Sequence, residues 1–395
     1  MYADDTVLFA TSKENLQKCL NGLKLYCDKW KLQINADKTK VIIFSKQKSR
    51  IDNINFSIGG SKIEIVEEFK YLGVTFTYNG NFTRCLTTLQ IQANRAMFSV
   101  IKRARKDNLP IDTQFDLFDK LVMPVMLYGC EIWGFKDLAI LERLHLRFCK
   151  LVLNLRKSTP DVMVYGESGR FKVEYYAKKR MINYWGKIVC GNRNKLAYIV
   201  YNLCKQRYES VQPTPEWFVN LASMLFWNGF YVIPNEEAEV KDAVKTMHKR
   251  LKQEYTYNWL EKVNNQPKCS VLYKHIKTKF EREYYLTGLP YNLYVAMARI
   301  RTCNHNLPIE IGRHGRNYIP REERICTKCD SGLLGDEFHF ILVCSNPVLL
   351  ELREKYISPY YTLFPSMDGL ADLFCNKGRK LFKLARYVAE GIKLY

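Results

Sequence analysis

Four residues near the C-terminal end, Cys326, Cys329, His339 and Cys344, follow the spacing C-x2-C-x9-H-x4-C. Two thiolates three positions apart reach one ion from a tight turn. A His and a Cys with four residues between them close the tetrahedron from a helix or loop edge. Three soft sulfurs and one imidazole suit Zn²⁺ in a closed structural site, with no ligand position left open for catalysis. The intervening Ser331-Gly332-Leu333-Leu334-Gly335-Asp336 has two glycines and can wrap an ion. Phe338, Phe340, Ile341 and Leu342 around His339 supply a small core that the metal completes. Cys303 and His305 lie near enough to be spare ligands but fit core or surface roles better. His145, His248, His275 and His314 have no partner at ligand spacing.

A second constellation sits at the other end, Tyr2-Ala3-Asp4-Asp5, ahead of the apolar stretch Thr6–Ala10. Two adjacent acids after an aromatic and a small residue suggest a β-turn-β hairpin with carboxylates at its tip. Paired carboxylates can hold Mg²⁺, which prefers oxygen ligands, and two such ions serve phosphoryl transfer. The tetrapeptide alone is equally well a surface turn.

The chain carries 61 Lys and Arg against 40 Asp and Glu, a net charge of +21 over 395 residues. Such an excess favours polyanions, because each phosphate neutralised releases counterions. RNA and DNA are therefore the expected partners. No apolar run of 18 residues exists to span a membrane. The candidate phosphate-contacting residues are Arg103 and Arg105 in the run Lys102–Lys106, the cluster Lys178, Lys179 and Arg180, and Arg299, Arg301, Arg313, Arg316, Arg321 and Arg324 ahead of the Cys/His motif. Guanidinium pairs bidentately with phosphate. Each cluster read alone is also an ordinary solvated helix face. A basic tail with Lys377, Arg379, Lys380, Lys383 and Arg386 closes the chain. The 13 cysteines are spread too widely for a disulfide scaffold and fit mostly free thiols in a reducing, intracellular setting.

The elements that must position these residues are mixed α+β and mostly helical. Residues 1–82 read as a strand at Thr6–Ala10 and a helix after the Thr11-Ser12-Lys13-Glu14 capping signal. A turn at Asn35–Lys38 and strands at Val41–Phe44, Ile54–Ile58, Ile63–Val66 and Tyr71–Phe76 follow, with a Gly59-Gly60 hairpin. Residues 83–203 read as helical, with Leu86, Leu89, Ala93, Ala96 and Val100 on one face and further segments at Thr113–Leu127, Lys136–Leu155 and Val173–Val189. Residues 204–289 read as a helical connector broken at Gln212-Pro213-Thr214-Pro215. Residues 290–395 read as the zinc-binding, nucleic-acid-contacting part.

Taken in order, Tyr2-Ala3-Asp4-Asp5, Leu32–Thr39, and Lys70-Tyr71-Leu72-Gly73-Val74 resemble three consecutive motifs of reverse transcriptases: the catalytic aspartate hairpin, a segment with a characteristic lysine, and the primer-grip hairpin. Leu127–Gly134 is similar to the thumb region of non-LTR, LINE-type elements. The Arg299–Phe340 stretch is similar to their C-terminal zinc-binding segment. The resemblance implies a small palm portion of antiparallel strands plus helix, a helical thumb-like domain and a C-terminal zinc-binding domain. It makes Asp4 and Asp5 metal-binding aspartates, Lys38 the lysine that protonates departing pyrophosphate, and Tyr71, Leu72 and Gly73 the primer grip.

Such enzymes also draw a third carboxylate, and elements that position template and nucleotide, from upstream of this hairpin. The expectation is therefore a fragment of a retrotransposon RNA-directed DNA polymerase that binds RNA or DNA without polymerising alone, Mg²⁺ being held only in a complete palm. The alternative is a non-enzymatic zinc-dependent RNA- or DNA-binding protein retained for a host role. The family resemblance favours the nucleus, and oligomeric state is not readable.

Overall fold

Ser12 starts the first helix by accepting a hydrogen bond from the Asn15 backbone N–H at 3.2 Å. That helix is α1 (Lys13–Lys29) in the computed structural model of the chain, which describes residues 4–45, 54–266, 270–313 and 318–395. Tyr2, Ala3, His314 and Arg316 lie outside the described residues. The chain forms two compact units, residues 1–91 and 92–395, and its helices far outweigh its strands.

In the first unit, strands β1 (Lys40–Val41), β2 (Phe56–Ile58) and β3 (Ser61–Ile65) form a mixed sheet ordered β1-β3-β2. Gly59 and Gly60 take φ of +56° and +85°, the left-handed pair that lets a two-residue turn match strand twist. Leu20 from α1 packs with Val41, Phe56, Ile58 and Ile63. Strands β4 (Glu68–Tyr71) and β5 (Val74–Thr77) pair antiparallel through Tyr71↔Val74. The single strand expected over Tyr71–Phe76 is thus a hairpin turn and its second strand. Leu72 takes φ +46° before Gly73 at +84°. A leucine in that conformation is uncommon, so composition pointed away from a turn. Thr6–Ala10, expected as a strand, is irregular, with Val7 and Phe9 exposed.

Helix α2 (Thr83–Lys106) buries Leu86, Leu89, Ala93 and Val100, the face that periodicity marked. In the second unit, the segment expected as one helix over Thr113–Leu127 divides into Ile111–Leu117, a widened turn at Phe118–Val122, and Met123–Met126. Pro124 has no N–H for the carbonyl four residues back, and the wide turn precedes it. Val173–Val189 has the bounds that its pattern implied. The connector region holds the long helix Glu237–Asn265, whose Val240, Ala243 and Met247 pack with Trp185, Phe218 and Leu225. The helices Tyr291–Arg301, Pro347–Tyr356 and Met367–Cys375 pack against the last helix, Gly378–Gly391.

An ion network lies inside this unit. Arg301 is 1% exposed; its Nε donates to Glu167 at 2.7 Å and its Nη2 lies 3.0 Å from Glu283. Lys277 pairs with Glu283, and the Tyr285 hydroxyl donates to Glu167 at 2.7 Å. Burial disfavours the charged guanidinium, but the carboxylates of Glu167 and Glu283 outweigh it and hold Arg301 firmly charged. Arg301, expected on the phosphate-contacting surface, is a structural cation instead. Arg324 is likewise buried, donating to the backbone oxygens of Ile319 at 2.8 Å and Ile309 at 3.0 Å. Neither guanidinium is presented to solvent. Glu167→Ala, which leaves a buried charge under-compensated, is expected to destabilise the second unit by about 3–5 kcal/mol in urea unfolding. An unchanged unfolding midpoint would show the network to be energetically idle.

Candidate metal centre

The four donor atoms of Cys326, Cys329, His339 and Cys344 lie within 4.8 Å of one another. Three pieces of local backbone structure bring them there. First, the chain enters the loop through a short ladder: Cys326 N–H donates to Leu333 O at 2.8 Å and Gly335 N–H to Arg324 O at 2.8 Å. Second, the loop folds back on the first thiol, with Lys328 N–H donating to Cys326 Sγ at 3.4 Å. Gly332, at φ +66°, turns the loop homeward. Third, Asp336 caps the next turn by accepting from His339 N–H at 2.9 Å.

That next turn is widened. Cys344 N–H donates to His339 O at 2.8 Å, an i→i+5 bond over His339–Val343. In an α-helix, residues five apart point roughly 140° away from each other. The wider turn returns Cys344 to the side of His339. Cys326 Sγ lies 3.8 Å from Cys344 Sγ, and Cys329 Sγ lies 3.3 Å from His339 Nε2. A tetrahedral zinc with bonds of about 2.3 Å to sulfur and 2.0–2.1 Å to nitrogen has edges of roughly 3.5–3.8 Å. These two separations lie close to such edges, and the group could hold a metal such as zinc. All four positions are filled by protein donors, which suits structure rather than catalysis.

Sequence spacing did not reveal the groups around the cage. The Tyr395 hydroxyl lies 3.2 Å from Cys326 Sγ, and the Ser331 hydroxyl lies 3.1 Å from Cys329 Sγ. Desolvation works to raise the Cys329 thiol, but the Ser331 hydroxyl and backbone and then His339 outweigh it and hold it at about 5. Desolvation, reinforced by Cys326, pushes the Cys344 thiol up to about 11. A cation in the cage would supply the charge compensation that several adjacent thiolates need. The two spare-ligand candidates stand apart from this set. His305 Nε2 lies 3.2 Å from Glu337 Oε1, while its Nδ1 accepts from Leu307 N–H. Cys303 Sγ is 4.0 Å from the same carboxylate. His145 is buried and accepts from Arg170 Nε at 3.0 Å. Among the described residues the cysteines are free thiols.

Residues 1–76 match the family described as reverse transcriptase, RNA-dependent DNA polymerase. The chain is similar to RNA-directed DNA polymerases of mobile elements. It is 26% identical over 141 residues to an RNA-directed DNA polymerase from the mobile element jockey of Drosophila melanogaster, and 25% identical over 159 residues to that of Drosophila funebris. These alignments take in 34% and 38% of this chain but only 15% and 17% of the relatives. A Pol polyprotein from a type-1 retrotransposable element of Popillia japonica is 27% identical over 172 residues, 42% of this chain and 34% of that protein. No solved structure matches.

Within the reverse transcriptase match, Asp4 and Asp5 are exposed. Among the described residues they join no group of three or more metal-ligating side chains. Lys38 is exposed, and its backbone N–H is held by Asn35 Oδ1 at 3.0 Å. Tyr71, Leu72 and Gly73 form the tip of the β4–β5 hairpin. Of the expected phosphate contacts, Arg103, Arg105, Lys179, Arg299 and Arg321 are exposed. Arg103 pairs with Asp107, Lys178 with Glu174 at 2.6 Å, and Arg313 with Glu310 at 2.8 Å. Arg180 is half-buried and donates to Leu127 O at 3.0 Å, and Arg299 holds Asn154. No described helix is long and apolar enough to cross a membrane.

Replacing both Cys326 and Cys329 by Ser should release about one zinc per chain and loosen the C-terminal helices, leaving those of residues 139–189 intact. Metal analysis with hydrogen exchange checks this, and zinc that stays bound to the double variant would refute it.

Proposed function

We propose that this chain is a nucleic-acid-binding part of a retrotransposon RNA-directed DNA polymerase, with a structural zinc held by Cys326, Cys329, His339 and Cys344. The observation that carries the reading is the closed four-donor cage lying downstream of a reverse transcriptase match in a chain of net charge +21. Exposed cations at Arg103, Arg105, Lys179, Arg299 and Arg321 supply contacts for phosphates. In this reading the β4–β5 hairpin offers its backbone tip, Leu72 and Gly73, to a primer end, and Lys38 and the Asp4–Asp5 pair belong to the phosphoryl-transfer side.

These residues alone do not make the polymerising centre. A two-ion site needs carboxylates that converge, and Asp4 and Asp5 join no such group among the described residues. That same contrast, four gathered donors in one unit and an acid pair without further ligands among the described residues in the other, favours one second reading: a zinc-dependent RNA- or DNA-binding protein without enzymatic activity.

The purified chain is expected to bind single-stranded RNA and DNA, weakening by about tenfold or more between roughly 50 and 200 mM salt, as a few neutralised phosphates require. Fluorescence anisotropy measures this, and salt-independent or absent binding would end the proposal. With Mg²⁺ and a primed RNA template the same chain is expected to yield no extended product. A primer that grows would instead establish that the acid pair is completed in solution.

A further inference from the structure

We propose that the solvent face of the last helix, Gly378–Gly391, is a binding surface for a single strand of nucleic acid, held rigid by the metal cage. The proposal rests on the nucleic-acid-binding reading above and names a surface for it. The helix is sharply two-sided. Leu381, Leu384, Ala385, Tyr387, Val388 and Gly391 are buried, whereas Arg379, Phe382, Lys383 and Arg386 are exposed. At about 100° per residue those four side chains fall within an arc of roughly 100°. Lys380 flanks the arc, and Lys393 continues beyond the helix end; both are exposed.

The cations of this face are largely unpaired. Several lysines on other helices are matched one turn away: Lys24 with Asp28, Lys178 with Glu174, Lys241 with Glu237. Such pairs are self-satisfied and leave little net field. Arg379, Lys380 and Lys383 form no ion pair among the described residues, and Arg386 reaches Glu390 only at 3.9 Å. Glu390 is the one acid within this helix, and Tyr356 Oη already donates to it at 2.9 Å. Arg379 to Arg386 spans about 10 Å at 1.5 Å rise per residue. Three cations along that length match a polyanion whose charges recur every few ångströms along each strand.

Phe382 selects the kind of polyanion. It sits midway along the stripe at one edge of the arc, 38% exposed, with the Arg386 guanidinium carbon 5.4 Å from its ring centroid. An aromatic ring among cations offers a platform for an unpaired base, which a duplex does not present. A lipid surface would call for a broader apolar face than one phenylalanine.

The cage fixes the helix in place. The Tyr387 hydroxyl donates to Phe340 O at 2.6 Å, inside the widened turn that aligns His339 and Cys344. A Cβ on Gly391 would stand only 3.0 Å from Leu349 and 3.2 Å from Phe340, so the helix seats directly on that turn. Beyond it, Tyr395 touches Cys326 Sγ, and Lys328 lies 5.7 Å over the Tyr395 ring, extending the basic surface to the cage itself.

The test compares full-length, zinc-loaded chains binding a fluorescein-labelled single-stranded oligonucleotide across a salt series. One variant carries Arg379→Glu, Lys383→Glu and Arg386→Glu. A charge-matched control carries Lys241→Glu, Lys245→Glu and Lys249→Glu on the helix Glu237–Asn265. The first is expected to bind about tenfold or more weakly and to lose roughly 2 from the slope of log K against log salt. The control should stay near wild type. Phe382→Ala should weaken single-strand binding about fivefold and leave duplex binding unchanged. Zinc content and circular dichroism confirm that each variant is folded. Equal losses in both triple variants, or a Phe382 effect on duplex as large as on single strands, would overturn this surface while leaving nucleic-acid binding intact. A wild-type chain that binds no oligonucleotide overturns both readings.

Discussion

The C-terminal part of the molecule depends on one backbone hydrogen bond, from Cys344 N–H to His339 O. It closes a turn of five residues instead of four, and so sets an imidazole and a thiol on the same side of the chain. The wider turn also leaves carbonyls without helical partners, and buried orphan carbonyls are costly. Those of Phe340 and Cys344 are taken by Tyr387 and Arg353, both from helices downstream. Metal geometry and helix packing are therefore the same constraint seen from two sides. Straightening the turn would misplace a donor and strand the hydroxyl and guanidinium that now cap it.

The cage was legible because its information is local. Four residues of rare type at short spacing name a chemistry before any fold is known, and the loop glycines say how the chain returns. The arginines show where such reading stops. Arg299 and Arg301 share a helix and a charge, yet one is exposed and the other sits on a carboxylate 134 positions earlier in the chain. Nothing near Arg301 in sequence announces Glu167. The signal that was available is weak: Arg301 falls among Met297, Ala298 and Ile300 in the buried set, as a core position would. Arg324 was hidden for a different reason, since its partners are backbone oxygens, which carry no sequence signature.

The same distinction runs through the secondary structure. Val173–Val189 kept its expected bounds because an amphipathic stripe with no internal proline has one way to lie. Thr113–Leu127 did not, because Pro124 removes a donor and forces a wide turn that periodicity cannot register. Composition missed the β4–β5 hairpin because Leu72 is an apolar residue in a conformation usually given to glycine or asparagine, whereas the motif resemblance over Lys70–Val74 did mark a hairpin there. A Leu there has left-handed backbone strain to offset. In the reverse transcriptase reading this is the tip of the primer grip, the place where backbone shape outweighs side-chain preference.

Residues 204–289, which motif reading left without a role, supply much of what keeps the second unit ordered. Trp259 Nε1 donates to Val162 O at 2.9 Å, and Lys277 and Glu283 complete the network around Arg301. Cations in this protein thus do two separable jobs. Buried ones such as Arg170, Lys277 and Arg301 are neutralised inside the fold by Asp119, Glu283 and Glu167, and contribute nothing to the outer field. The net charge of +21 is consequently expressed by the exposed set alone. Long-range attraction for a polyanion depends on uncompensated surface charge and not on composition. In the nucleic-acid-binding reading proposed above, the unpaired surface cations govern association, and the paired interior governs whether they are held in register.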